Sequence, residues 1–227
     1  MRRVLQLVLL LAVASLVVSA AEVVERIVAT VNKHPIMQTD LEDEMRFEAL
    51  QQAGPVAALN SEAARGGLDR LIEQELVREQ MLNVADPPAE KVAARVKEIR
   101  ALYPQATTDE SWRVVLKHYE LTSGDVDRLV AAQLQMMSFI ELRLRPSIRV
   151  HRREVETYYR DKFAPELRAE GHEPDPLPKV YSRIEDLLIE QKLGETMTNW
   201  MNTLRTQSDI QLHGNYGSLV APAREGH

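Results

Sequence analysis

The 227-residue chain has no cysteine. Disulfides, thiol redox chemistry and thiolate-based zinc sites are therefore excluded. Aromatic residues make up only 5% of the chain. That scarcity favours a core of helices packed through Leu, Val, Ile and Met over an aromatic-rich β core. Beyond the first twenty or so residues, no run is apolar enough to cross a membrane. The chain also lacks a Gly-x-Ser-x-Gly elbow, a His-Glu-x-x-His pair, a phosphate-cradling glycine loop and a dinucleotide fingerprint. The histidines are His34, His118, His151, His172, His213 and His227, and no two share a helical i,i+3 or i,i+4 spacing. The sequence therefore assigns no catalytic, cofactor-binding or metal residue.

The N-terminus carries a different signal. Arg2 and Arg3 precede an apolar run from Val4 to Val18, and Ser19, Ala20 and Ala21 supply small-residue cleavage patterns. This is the pattern of a secretory signal peptide over residues 1–20, which places the chain in the periplasm. An uncleaved anchor is the alternative. The formal net charge is −6, and two units more negative once Arg2 and Arg3 are removed. Such a balance disfavours nucleic acid and anionic membrane surfaces as partners.

Residues 26–31 are β-branched and alternate, which predicts a strand. Asn32, Lys33, His34 and Pro35 follow as a turn, and Ile36 and Met37 are candidates for a second strand. Thr39 and Glu42 have capping-box spacing for a helix running to about Gln52. A second helix begins at Asn60 and Ser61, with Gly66-Gly67 weakening its first turns. A third is capped by Asp86, a fourth by Thr107 with Glu110, and a long fifth by Thr122. Pro146 ends the fifth helix, and a sixth spans His151 to Lys162. Residues 164–180 hold Pro165, Pro174, Pro176 and Pro178 and predict a linker. A long helix follows from Tyr181, opened by Ser182 and Glu185. Residues 209–213 alternate as a closing strand, and residues 214–227 predict a disordered tail.

A lone strand cannot satisfy its backbone groups. The economical solution pairs residues 26–31 with 210–212 and closes the fold terminus to terminus. The expected fold class is mainly α, a multi-helix core with a small β-sheet. Residues 22–163 form its helical body, and residues 181–213 complete it.

Two further features bear on function. Arg143, Arg145, Arg149, Arg152 and Arg153 surround a helix junction. They read first as solvated surface and second as a contact for an acidic segment. Methionine is common and clustered: Met136 and Met137 are adjacent, and Met197 and Met201 flank Trp200 at helical spacing. Methionine fills cores, but its unbranched side chain also lines surfaces that accept varied partners. Trp112, Tyr119, Met136, Met137, Met197, Trp200 and Met201 are the candidates for a peptide-binding groove.

The stretch VVERIVATVNKHPIMQTDLEDEM resembles the opening of SurA-type periplasmic chaperones and related PpiC-type foldases. GGLDRLIEQELVREQM resembles their second helix. The order of elements from PPAEKVAARVKEIRALYP through the helix carrying Glu154, Val155, Tyr158 and Tyr159 is also similar, as is the closing stretch YSRIEDLLIEQKLGETMTNWMNTLRTQSDIQL. The resemblance covers about residues 24–212. It implies an ATP-independent holdase that binds unfolded outer-membrane-type polypeptides. In that family a parvulin prolyl isomerase domain sits between the Tyr158-Tyr159 helix and the last helix. Here the interval is the proline-rich 164–180, too short for a domain of roughly 50 residues, so the resemblance carries over no isomerase activity. An assembly subunit with one fixed protein partner is the second reading, and a prolyl isomerase of another type the third.

Overall fold

The fold is organised around a hairpin and the strand that returns to it from the far end of the chain. The computed structural model describes residues 25–59 and 61–214. Strand β1 (Ile27–Val31) pairs antiparallel with β2 (His34–Met37), with Ala29 opposite Ile36 and Val31 opposite His34. The turn places Asn32 at φ 53°, a left-handed conformation that asparagine tolerates better than most residues. Strand β3 (Ile210–Leu212) pairs antiparallel with the other edge of β1, Ala29 opposite Leu212 and Val31 opposite Ile210. The order β2-β1-β3 makes β1 the central strand. The expected terminus-to-terminus pairing is therefore present, in a mainly helical fold with a three-stranded antiparallel sheet.

Asn32 ties this closure together. Its backbone N–H donates to Asp209 O at 2.8 Å, and its side-chain oxygen accepts from the Asp209 N–H at 2.9 Å. Its amide nitrogen donates to Glu79 at 2.6 Å and to Ser208 Oγ at 3.2 Å. One side chain thus links the hairpin turn, the second helix and the approach to β3.

Helix α1 (Gln38–Gln51) begins one residue before Thr39. The expected cap is corrected accordingly: Asp40 accepts from the Met37 N–H at 2.8 Å, while Thr39 donates to Glu25. Helix α2 (Glu62–Arg78) is capped by Ser61, so the glycine pair lies within it. A Cβ on Gly67 would lie 3.1 Å from Leu41 Cδ1, so the glycine permits close approach of α1 and α2. Helix α3 (Ala89–Ala101) is preceded by Pro88, not capped by Asp86. The Asp86 carboxylate instead accepts from Gln135 at 3.2 Å. Helix α4 (Asp109–His118) is capped by Thr108 paired with Ser111, one residue after the expected box. Helix α5 (Ser123–Leu144) carries the expected Thr122 cap. Thr122 and Asp125 exchange bonds in both directions, and donation from the Thr122 hydroxyl, backed by the Thr122 N–H, holds the Asp125 carboxyl below its ordinary pKa.

The largest correction concerns residues 164–180. Helix α6 (Arg152–Tyr158) runs through a π turn (Tyr159–Phe163) into α7 (Ala164–Ala169). Pro165 has no N–H, and its ring crowds the carbonyl four residues back. The wider turn just before it accommodates that ring, and the Ala164 N–H bonds five residues back to Tyr159 O. The final helix, α8 (Leu177–Gln207), starts four residues before Tyr181 because Pro176 and Pro178 stand where proline suits a helix start. Only about 170–176 remains irregular. The expected signal peptide (1–20) and most of the expected tail (214–227) lie outside the described residues.

Three buried clusters result. The first joins the sheet to α1, α2, the end of α5 and the C-terminal half of α8, with Leu41, Leu68, Ile72 and Leu76 at its centre. The second joins the end of α1 to α3, α4 and the start of α5, around Leu50, Ile99, Leu116 and Val126. The third is small: Val155, Val180 and Ile184 bind α6 to the N-terminal half of α8, forming an arm.

Candidate functional site: a methionine-lined groove under helix α5

Helix α5 belongs to two clusters at once. Val126 and Val130 sit in the second, Ile140 and Leu144 in the first. Between Val130 and Ile140 no residue of the helix is buried. A helix packed along its length places an apolar residue in the core at every turn. The middle of α5 is instead only half-buried: Leu134, Met136 and Phe139 touch the two clusters without being enclosed, and a groove runs beside them.

The groove has a volume of about 280 Å³ between α1, α2, α5 and α8. Its apolar surface comes from Phe47, Val77, Leu129, Met136, Met137, Ile140, Met197 and Met201. A neighbouring hollow of about 410 Å³ shares Glu44, Gln74, Leu129, Ala132 and Met136 with it and extends to Pro35 and Ile36. Gln51, Gln74 and Gln133 supply neutral donors and acceptors. Arg70 donates to Glu44 at 3.1 Å and also bonds Glu48, so these charges are largely paired. The walls are helical, with their main-chain groups consumed by helix hydrogen bonds. Gln74 donates to Glu44 at 3.3 Å and Gln51 accepts from Arg95 at 3.2 Å, each keeping its other amide atom.

Four of the seven expected groove residues, Met136, Met137, Met197 and Met201, meet here although about 60 residues separate the two pairs. Met137 is 57% exposed and Met197 36%. Met201 is buried and anchors α8, helped by Arg205, which donates to Glu73 at 3.0 Å. Trp200 does not line the groove: its ring lies 6.3 Å from Phe139 and packs against the first cluster.

Trp112 and Tyr119 lie elsewhere. Trp112 is buried in the second cluster, 5.9 Å from the Tyr103 ring. Tyr103 OH donates to Leu50 O at 2.7 Å and lies 3.0 Å from Tyr119 OH, which donates to Gly54 O. Burial pushes the Tyr103 phenol well above its ordinary pKa, and the bond to Tyr119 adds to the shift. These rings are committed to joining α3 and α4 to α1.

Sequence reasoning missed Phe47, Val77, Leu129 and Ile140 as groove residues, because each satisfies the same periodicity as a core residue. Phe47, Val77 and Ile140 are buried core residues that also border the groove, and Leu129 is half-buried beside it. No helix among the described residues is long and apolar enough to cross a membrane. No protein-family model matches the chain, and no curated protein matches it either.

Proposed function

We propose that the protein is an ATP-independent holdase of the cell envelope that takes apolar segments of unfolded polypeptides into the groove under α5. The observation that carries this reading is an apolar groove along the half-buried middle of α5, lined by Met136 and Met137 from α5 and by Met197 and Met201 from α8. Thioether side chains repack around different occupants, which suits low sequence specificity. Burial of apolar client surface supplies the affinity, and the glutamines serve whatever polar groups accompany it. The resemblance to SurA-type chaperones supports the same reading, and with it outer-membrane proteins as clients. The signal-peptide pattern supports the periplasm. A parvulin domain has no room between α7 and α8, so the reading includes no isomerase activity.

The test is suppression of aggregation. The purified chain at several-fold excess should reduce light scattering by an unfolded outer-membrane protein diluted from denaturant. Met137→Glu with Met197→Glu should abolish that effect. Both side chains reach solvent, so the thermal midpoint should move little, consistent with exposed substitutions staying within about 0.5 kcal/mol. Full suppression by the double variant would remove the groove from the account. No suppression by the wild type, with a single stoichiometric partner on co-purification, would replace it with a dedicated assembly subunit.

A further inference from the structure

At the opposite side of the hairpin from β3, three metal-ligating side chains converge. His34 begins β2. Glu75 and Glu79 stand one turn apart on α2 and at its C-terminus. His34 Nδ1 lies 3.2 Å from Glu75 Oε1 and 3.0 Å from Glu79 Oε1. The three potential ligand atoms all lie within 4.8 Å of one another. Glu75 and Glu79 are mostly covered, with side chains 12% and 19% exposed, and His34 leaves one side of the cluster open to solvent at 54%.

Two observations distinguish this cluster from an ordinary surface ion pair. First, Nδ1 faces two carboxylate oxygens, and a ring nitrogen has at most one hydrogen to give. Second, the outer oxygens are already held by other donors. Asn32 Nδ2 donates to Glu79 Oε2 at 2.6 Å, and Arg78 Nε donates to Glu75 Oε2 at 2.7 Å. Hydrogen bonds to the outer atoms of ligating groups, fixing the orientation of the inner ones, are the usual surroundings of a metal ion. Arg78 also reaches Glu75 Oε1 at 2.7 Å, and it is the one cation facing this pair of carboxylates among the described residues.

We propose that His34, Glu75 and Glu79 bind a divalent transition-metal ion. One imidazole nitrogen and two carboxylate oxygens form a ligand set suited to zinc, with water completing the coordination. The ion would take the place of any proton on His34 Nδ1, displace Arg78 from Glu75 Oε1, and bridge one oxygen of each carboxylate. It would clamp the hairpin to α2 next to Asn32, where the two ends of the chain meet, and so act on closure of the fold. The site stands independently of the groove, since its role needs no client.

The experiment is titration of the chelator-stripped chain with zinc chloride, read by calorimetry and by thermal unfolding. One zinc per chain should bind. At a hundredfold excess over the dissociation constant, the midpoint should rise by about 5–10 °C. Glu79→Gln and His34→Ala should each weaken binding at least tenfold, whereas His172→Ala should leave it unchanged. Calcium chloride should have little effect, because calcium prefers six to eight oxygen ligands. Absence of zinc binding by the folded wild type would overturn the proposal. So would binding that survives both ligand substitutions, since the metal would then sit elsewhere. Glu79→Gln keeps the Asn32 contact, so loss of binding in a variant of unchanged midpoint separates a lost ligand from a lost fold.

Discussion

The two halves of helix α8 live in different surroundings. The helix is about 46 Å long at 1.5 Å per residue. Its C-terminal half places Leu193, Met201 and Leu204 in the main core, and Arg205 reaches Asp69 and Glu73 on α2. The sheet then ties down its end through β3. Its N-terminal half has two fully covered apolar contacts, Val180 and Ile184, and they meet only Val155 within a rim of half-buried tyrosines and leucines. One continuous helix thus joins a large core to a small one. Local stability follows the apolar contacts available, not the continuity of the helix. The arm is the part that should open first, and the sheet end the part whose loss should unfold everything.

Deleting residues 209–213 should give the largest effect. It removes β3, the second edge of β1 and both backbone contacts to Asn32. It also unties α8 from the sheet. Thermal unfolding should show a midpoint lower by on the order of 10 °C, consistent with several kcal/mol in a chain of this size. An unchanged midpoint would mean that the N-terminal elements are stable alone and α8 is an appended arm along its whole length.

This pairing was legible in the sequence, and the arm was not. Residues 26–31 and 209–213 both alternate, and the closing strand has no neighbour of its own to join, so backbone satisfaction matched it to the first strand across the chain. The helices of the body were legible through their periodicity. Their starts slipped by a residue or two at three caps: Asp40 serves the first helix in place of Thr39, Pro88 precedes the third in place of Asp86, and Thr108 caps the fourth in place of Thr107. In the arm, the prolines pointed toward a linker. Proline disfavours a helix interior but suits a first turn, and it is tolerated after a π turn. Pro165 and Pro178 occupy such positions, which only the backbone geometry reveals. The groove was half legible. Methionine clustering marked Met136, Met137, Met197 and Met201. Trp112 and Tyr119 share the same large apolar character, but a hydrogen-bonded ring cluster with Tyr103 consumes them. The histidine–glutamate cluster was invisible because its partners are about 40 residues apart and no local spacing announces them.

Ile184→Ala sharpens the contrast between the two ends. Ile184 is 1% exposed, and truncating such a side chain costs about 2–5 kcal/mol where the cavity must be carried by the folded state. The arm can release that strain by opening locally. Hydrogen exchange over about 152–190 should therefore accelerate by a factor of ten or more, while the global midpoint moves far less than on deletion of β3. A midpoint falling as far as in the deletion would show that the arm is cooperative with the core.

The smallest effect concerns Glu154, which fastens α6 to α8. Its carboxylate accepts from the His151 N–H at 2.8 Å and pairs with Lys192 Nζ at 2.6 Å, while Lys192 also donates to Arg149 O at 2.7 Å. The bond from His151 and the pairing with Lys192 hold the Glu154 carboxyl below its ordinary pKa. The sign follows from that depression. Its contribution is complete above the unfolded value of about 4.3 and is lost as pH falls through the lower folded value. An NMR titration of the Glu154 carboxyl carbon should give a midpoint below that of a free glutamate. Lys192→Met should raise it part of the way back, because the His151 N–H bond remains. A wild-type midpoint at the free-glutamate value would mean that the clasp between α6 and α8 is not populated, and that the three-residue cluster alone holds the arm.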